Sequence, residues 1–147
     1  MAYWTLSGLY GIVPADRVLQ LVDHEDAGSL VVSPPNAAYT RVVNAGTKAD
    51  TYIDTYLRGH YTLPLITVPA MVSEMSNTLT AWFLYLLSDI EEIPAKIEEA
   101  YKSVIRMLEH IRDDKIRLFD EEQASGTIQV NKTSDDRLFP KTVLDQY

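Results

Sequence analysis

The chain contains no cysteine. That excludes a disulfide scaffold, a thiol nucleophile and any cysteine-ligated zinc or iron–sulfur site. Histidine is scarce as well: His24, His60 and His110 form no HExxH or other ligand spacing, and each reads as a surface or hydrogen-bonded side chain. No GxGxxG, Walker or GxSxG sequence occurs, so no phosphate cradle or serine nucleophile is marked. The run from Asp23 to Gly28 has the opening pattern of a calcium loop. Ala27 and Pro34, however, stand where such a loop needs ligand oxygens, which leaves a solvated acidic turn. The longest apolar run, Leu79 to Leu87, is interrupted by Thr80 and is too short to span a bilayer. The N-terminus lacks the basic n-region of a secretory signal. These absences predict no enzyme, no cofactor, no metal and no membrane association.

What the chain does have is acid, aromatics and helical periodicity. Thirteen Lys+Arg against twenty-one Asp+Glu give a net charge of −8, which disfavours a simple nucleic-acid binder. The charge is unevenly placed. Residues 61–90 hold two acids, Glu74 and Asp89, and no base, whereas thirteen acids and nine bases follow from position 91. Its 147 residues suit one domain. Thr5 is a candidate cap for a turn over Leu6–Tyr10 that Gly11 would end, and Pro14 opens a helix with Val18, Leu19, Leu21 and Val22 on its apolar face. Gly28 to Pro35 reads as a loop.

Asn36 caps the next helix, whose stripe runs Tyr39, Val42, Gly46, Ala49, Ile53, Tyr56. Gly46 and Ala49 in that stripe would let a neighbouring helix approach closely, and Gly59 is the expected C-cap. A helix opening at Pro69 carries the stripe Val68, Met71/Val72, Met75, Leu79, Trp82/Phe83 and Leu86/Leu87, and its second half is apolar nearly all round. That predicts a central helix, or one that also faces another subunit. Pro94 opens a further helix with Ile97, Tyr101, Val104, Leu108 and Ile111 on one face, and Glu98 and Lys102 form a stabilising i,i+4 pair. After Phe119 the helical period stops. Thr127–Val130 alternates like a short strand, and Leu138-Phe139-Pro140 is an isolated apolar cluster. The expected fold class is all-α: a four- to five-helix bundle over residues 1–118 with an extended C-terminal arm over 119–147.

Paired acids such as Glu91-Glu92 and Glu98-Glu99 point in different directions on a helix and read first as solvated faces. The aromatics read mainly as core, with a share left for a subunit interface, where tyrosine and tryptophan are enriched. Tyr52, Tyr56, Tyr61, Trp82 and Tyr85 are the interface candidates.

The stretch Ile53-Asp54-Thr55-Tyr56-Leu57-Arg58-Gly59-His60-Tyr61-Thr62-Leu63-Pro64-Leu65, followed by Val68-Pro69, resembles a block found in small Mu-like phage structural proteins assigned to the head–tail junction. His60 stands where that block usually has arginine, and the loop from Gly28 to Pro35 departs from the family pattern. Trp4-Thr5-Leu6, Leu19–Asp23, Trp82–Leu86, the helix after Pro94 and the ending Arg137–Leu144 are similar to family segments in the same order. The resemblance implies a helical neck protein of the virion, assembled in the bacterial host cytoplasm and related in shape to connector (adaptor) proteins. Such proteins form a ring, usually of twelve copies, under the portal protein; the ring extends the DNA channel and offers a platform to the next neck or tail protein. On that reading Ile128, Val130, Leu138 and Phe139 are the portal-binding arm residues. Glu91, Glu92, Glu98 and Glu99 are the candidates for an acidic channel lining through which DNA passes without adhering. Two alternatives stay open: a head-completion stopper or tail terminator of the same virion, and a small oligomeric bacterial helical regulator.

Overall fold

Helix α1 (Leu6–Ile12) begins where Thr5 takes an extended conformation and its hydroxyl oxygen accepts the Gly8 N–H at 3.0 Å. It runs through Gly11 rather than ending there. What stops it is Pro14, which forces the preceding Val13 out of the helical region, to φ −124° and ψ 123°. Pro14 itself is the N-cap of α2 (Ala15–Val22), one position earlier than expected, and Val18, Leu21 and Val22 are buried. A computed structural model describes residues 2–24, 28–88 and 92–119 of the chain.

Asn36 caps α3 (Ala37–Leu57) as its residue type predicts, accepting the Tyr39 N–H at 2.9 Å. The far end of α3 differs from expectation. Arg58 is the C-cap in a right-handed conformation, and the Leu57 carbonyl accepts from both His60 and Tyr61. The chain thus leaves through a right-handed turn, and Gly59 needs no left-handed backbone. Helices α4 (Ala70–Leu87) and α5 (Ala95–Arg112) take Pro69 and Pro94 as N-caps. At the C-terminus of α5 the Asp114 N–H reaches the Ile111 carbonyl and the Lys115 N–H the His110 carbonyl, a Schellman arrangement. Asp114 occupies its left-handed position at φ 57°, a conformation short polar side chains tolerate.

The five helices are the only regular elements among the described residues; an isolated bridge joins Val32 to Pro35. The expected all-α bundle is therefore what forms. Helix α4 is central, packing against α1, α2, α3 and α5. Leu79 and Leu84 of α4 meet Leu9, Leu21, Ile53, Leu57, Leu108 and Ile111 in the fully buried core. The Pro-containing link between α3 and α4 makes these two helices antiparallel neighbours, and α5 returns alongside. One end of the bundle therefore carries the start of α3 and the finish of α4, and the other the reverse. The arm expected from 119 onward lies outside the described residues beyond Phe119, with its sites Ile128, Val130, Leu138 and Phe139.

The residues before α1 pack more deeply than a leading segment usually does. Tyr3 and Trp4 are buried, and each aromatic of that size removes roughly 150–250 Å² from water, about 4–6 kcal/mol before ordering costs. The Trp4 indole lies directly on Gly46, where any Cβ would collide with it. The small residue in the α3 stripe thus admits an indole from the N-terminal segment, not the close approach of a neighbouring helix.

Asp50, on α3, is buried among these groups. One carboxylate oxygen accepts the Tyr3 N–H at 3.0 Å and the other the Ser76 hydroxyl at 2.5 Å. Nearby, the Ser73 hydroxyl donates to the Tyr3 carbonyl at 2.9 Å, and Asn77 Oδ1 accepts the Thr5 N–H at 2.9 Å. Burial holds the Asp50 carboxyl above its usual pKa, against the lowering effect of the two hydrogen bonds. The folded state therefore binds this proton more tightly than the unfolded chain. The contribution of Asp50 to stability is fully present below pH about 4 and is lost as pH rises through the raised folded value. Urea unfolding of the wild type and Asp50→Asn from pH 4 to 7 should show the wild-type advantage shrinking with pH. An advantage that grows with pH would mean that the site holds the carboxylate charged.

Candidate interaction surfaces

Aromatic side chains from α3, α4 and α5 meet along one seam. Tyr52 and Tyr56, one turn apart on α3, lie with ring centroids 5.5 Å apart and hydroxyls 3.5 Å apart. Tyr52 meets Phe83 of α4 edge-on at 6.3 Å, and Trp82 stacks on Tyr101 of α5 at 4.4 Å and 14°. Lys48 Nζ sits 4.6 Å from the Phe83 ring centre, a cation–π contact. The Tyr52 phenol is held above its usual pKa by its hydrogen bond with Tyr56 and then by burial. That of Tyr101 is raised first by burial and then by Tyr52. Both stay neutral phenols at physiological pH, with hydroxyls able to donate.

Of the five aromatics singled out in the sequence, Tyr52, Tyr56 and Trp82 fall on this seam and are partly exposed. Tyr85 does not join them: it is 5% exposed and belongs to the core of the chain itself. Tyr61 lies at the bundle end where α5 finishes. Its hydroxyl accepts the Leu118 N–H at 3.0 Å, and its ring meets Phe119 edge-on at 5.9 Å. Beside it, His60 Nδ1 stands 3.3 Å from an Asp114 oxygen. The His60-Tyr61 pair thus clasps the chain as it leaves α5. The same link also reaches the N-terminus, since the Tyr3 hydroxyl donates to Asp54 at 2.8 Å and accepts the Leu65 N–H at 3.3 Å.

The exposed large apolar side chains of the described residues are confined to the two bundle ends. Ile66, 89% exposed, stands at the α5-exit end on a cavity of about 440 Å³ lined also by His60, Tyr61, Thr62, Leu65, Thr67 and Phe119. At the opposite end Leu86 and Leu87, both more than half exposed, finish α4, and Val31 and Val32 precede α3. A cavity of about 260 Å³ there is lined by Leu21, Val22, His24, Arg41, Asn44, Leu84 and Leu87.

The family described as Bacteriophage Mu, Gp36 matches residues 3–134. The chain belongs to this family. No curated protein matches it. The Mu Gp36 match takes in all five helices and begins at Tyr3, the first residue of the buried N-terminal segment. The chain is therefore a Mu-like phage protein.

The acids proposed for a channel lining are less uniform than the sequence suggests. Glu91 lies outside the described residues. Glu92 and Glu99 are exposed, while Glu98 is partly buried and paired with Lys102 at 2.6 Å. Lys96, Lys102, Arg106 and Arg112 share α5 with Glu98, Glu99 and Glu109, so that helix carries no excess of acid. Among the described residues no group of three or more His, Asp or Glu could hold a metal ion, and no helix is long and apolar enough to cross a membrane.

The sequence does not single out Tyr101 or Ile66 as surface features, nor Phe83 as the buried ring beneath the seam. Tyr101 and Phe83 carry the same helical spacing as core residues, and Ile66 is masked by the surrounding proline-rich link. Replacing Tyr61 by Phe keeps the ring on Phe119 and deletes only the hydroxyl. It should cost about 0.5–1.5 kcal/mol in urea unfolding, with the Leu118 amide exchanging up to about tenfold faster. An unchanged Leu118 exchange rate would show that the clasp does not hold the α5 exit.

Proposed function

We propose that this chain is a neck subunit of a phage virion, a head–tail connector. Its copies close a ring under the portal protein, extend the DNA channel and present a platform to the next neck or tail component. The observation that carries this reading, beside membership of the Mu Gp36 family, is the confinement of exposed large apolar side chains to the two ends of the bundle. A subunit held between two axial partners needs two distinct sticky ends. A closed ring needs, in addition, unlike patches on its flanks.

The α5-exit end, with Ile66, Tyr61 and Phe119, is the portal side, because the C-terminal residues Ile128, Val130, Leu138 and Phe139 follow from it. The end with Leu86 and Leu87 meets the next component. Tyr52, Tyr56, Trp82 and Tyr101 supply a flank of the kind that anchors subunit contacts, aromatic and half-buried with hydroxyls at the rim. The ring forms in the host cytoplasm and stays in the virion neck.

The charge of the channel follows from where the acids are. The described residues hold eleven acids and ten bases, so the bundle is close to neutral. Glu25, Asp26, Asp89 and Glu91 fall in sequence between α2 and α3 and between α4 and α5, outside the described residues.

Two exposed-site variants test the axial assignment without touching the core. Ile66→Glu should lower co-elution with the cognate portal at least tenfold. Leu86→Glu/Leu87→Glu should leave portal binding intact while blocking the next component. Helical circular dichroism should be unchanged in both. If the Ile66 variant binds portal as the wild type does, the portal side is wrongly placed; if wild type does not bind, the connector reading fails.

A further inference from the structure

Helix α3 turns an unusual face outward. Thr40, Asn44, Thr47, Thr51 and Thr55 recur at helical spacing and are all exposed. Its exposed charges, Lys48 and the capping Arg58, are both basic, and neither forms an ion pair among the described residues. The acids of the helix are withdrawn: Asp50 is buried, and Asp54 accepts the Tyr3 hydroxyl. On this face lies a shallow, open groove of about 450 Å³, lined by Asn44, Thr47, Lys48, Thr51, Tyr52 and Thr55, all of α3. Two of its threonines donate their hydroxyls to the helix backbone, Thr51 to the Thr47 carbonyl at 2.8 Å and Thr55 to the Tyr52 carbonyl at 2.6 Å. With those two donors spent, the walls offer threonine methyl groups, the Tyr52 ring and the polar ends of Asn44 and Thr47, and the one charge is the Lys48 ammonium, 4.6 Å from the Phe83 ring centre.

The complement to such a groove is a peptide with carboxylates and apolar side chains. A nucleic-acid backbone fits it less well, because the groove has a single ammonium to neutralise phosphates and two of its three threonine hydroxyls are already committed. The chain itself carries a segment of that composition. Residues 120–147 hold six acids and three bases, open with Asp120-Glu121-Glu122, and include Ile128, Val130, Leu138 and Phe139. They follow Phe119, which is fixed against Tyr61 just past the end of α3. A segment of 28 residues can extend roughly 90 Å, against about 32 Å for the 21 residues of α3. Attachment at that point also gives it an effective concentration on the order of millimolar, which no separate chain matches at ordinary protein concentration.

We propose that the outer groove of α3 is the docking site of the chain's own C-terminal segment, with Asp120–Glu122 drawn to Arg58 and Lys48. The segment then lies sheathed on the bundle until a partner takes it. This inference does not depend on the connector reading, because it concerns the unassembled chain.

The absence of native cysteine makes the test direct. The full-length double variant Thr51→Cys/Glu122→Cys, at low micromolar concentration, is treated with a short bifunctional maleimide. An intrachain link, seen as a monomer of altered mobility and identified by peptide mapping, should form at least tenfold faster than in the control pair Lys102→Cys/Glu122→Cys. Adding Lys48→Glu and Arg58→Glu should slow it about tenfold, as should 0.5 M salt, since the attraction between exposed charges is screened. Equal rates in the two pairs would overturn the proposal. So would links formed only between chains, which would make the groove a contact between copies.

Discussion

A carboxylate buried between two helices is the constraint on which the rest of this molecule depends. Asp50 lies where α3 faces α4, and taking its charge out of water is costly unless the oxygens are satisfied. They are satisfied by two groups far away in sequence, the Tyr3 backbone N–H and the Ser76 hydroxyl. The interaction therefore joins the N-terminal segment to both long helices at once. With Tyr3 held there, its own hydroxyl spans Asp54 and the Leu65 N–H, which fixes the link between α3 and α4. That link carries Tyr61, which in turn holds Leu118 and Phe119. Hydrogen bonds, the α3–α4 link and one ring contact thus connect Tyr3 to Phe119, and together they shape the end that displays Ile66.

How much of this was legible beforehand depended on whether the controlling contact is local. Thr5 and Asn36 cap the helices their positions suggest, because a cap involves only residues within the next turn. The apolar stripes of α3, α4 and α5 identify the core for the same reason. Gly11 and Gly59 mislead, since a proline three positions after the first and a right-handed exit turn at the second already decide where those helices end. Gly46 misled in another way: its smallness is real, but the group that exploits it comes from forty residues earlier. Asp50, Ser76 and Asn77 were invisible, because a polar residue in a stripe looks like a solvated one until its partner is known. Tyr85 illustrates the converse, an aromatic that composition offers to an interface and packing assigns to the core. The block around Tyr56–Leu65 was the most specific part of the sequence, and it builds the junction between the two ends of the described chain.

The distribution of charge changes what the acidity of the chain means. A net charge of −8 suggests an acidic body, yet the described residues are nearly balanced. A near-neutral bundle would let copies in the proposed ring pack side by side with little mutual repulsion. The exposed basic face of α3 is then a local exception that calls for an acidic complement. Neutral flanks and apolar ends are together what the proposed ring subunit would need.

The most direct measurement is the mass, by light scattering after size exclusion, of this protein mixed in excess with its cognate portal. The account predicts a single species heavier than the portal by close to one copy of the chain for each portal subunit. Free portal eluting unchanged beside a small oligomer or monomer of the chain would contradict it.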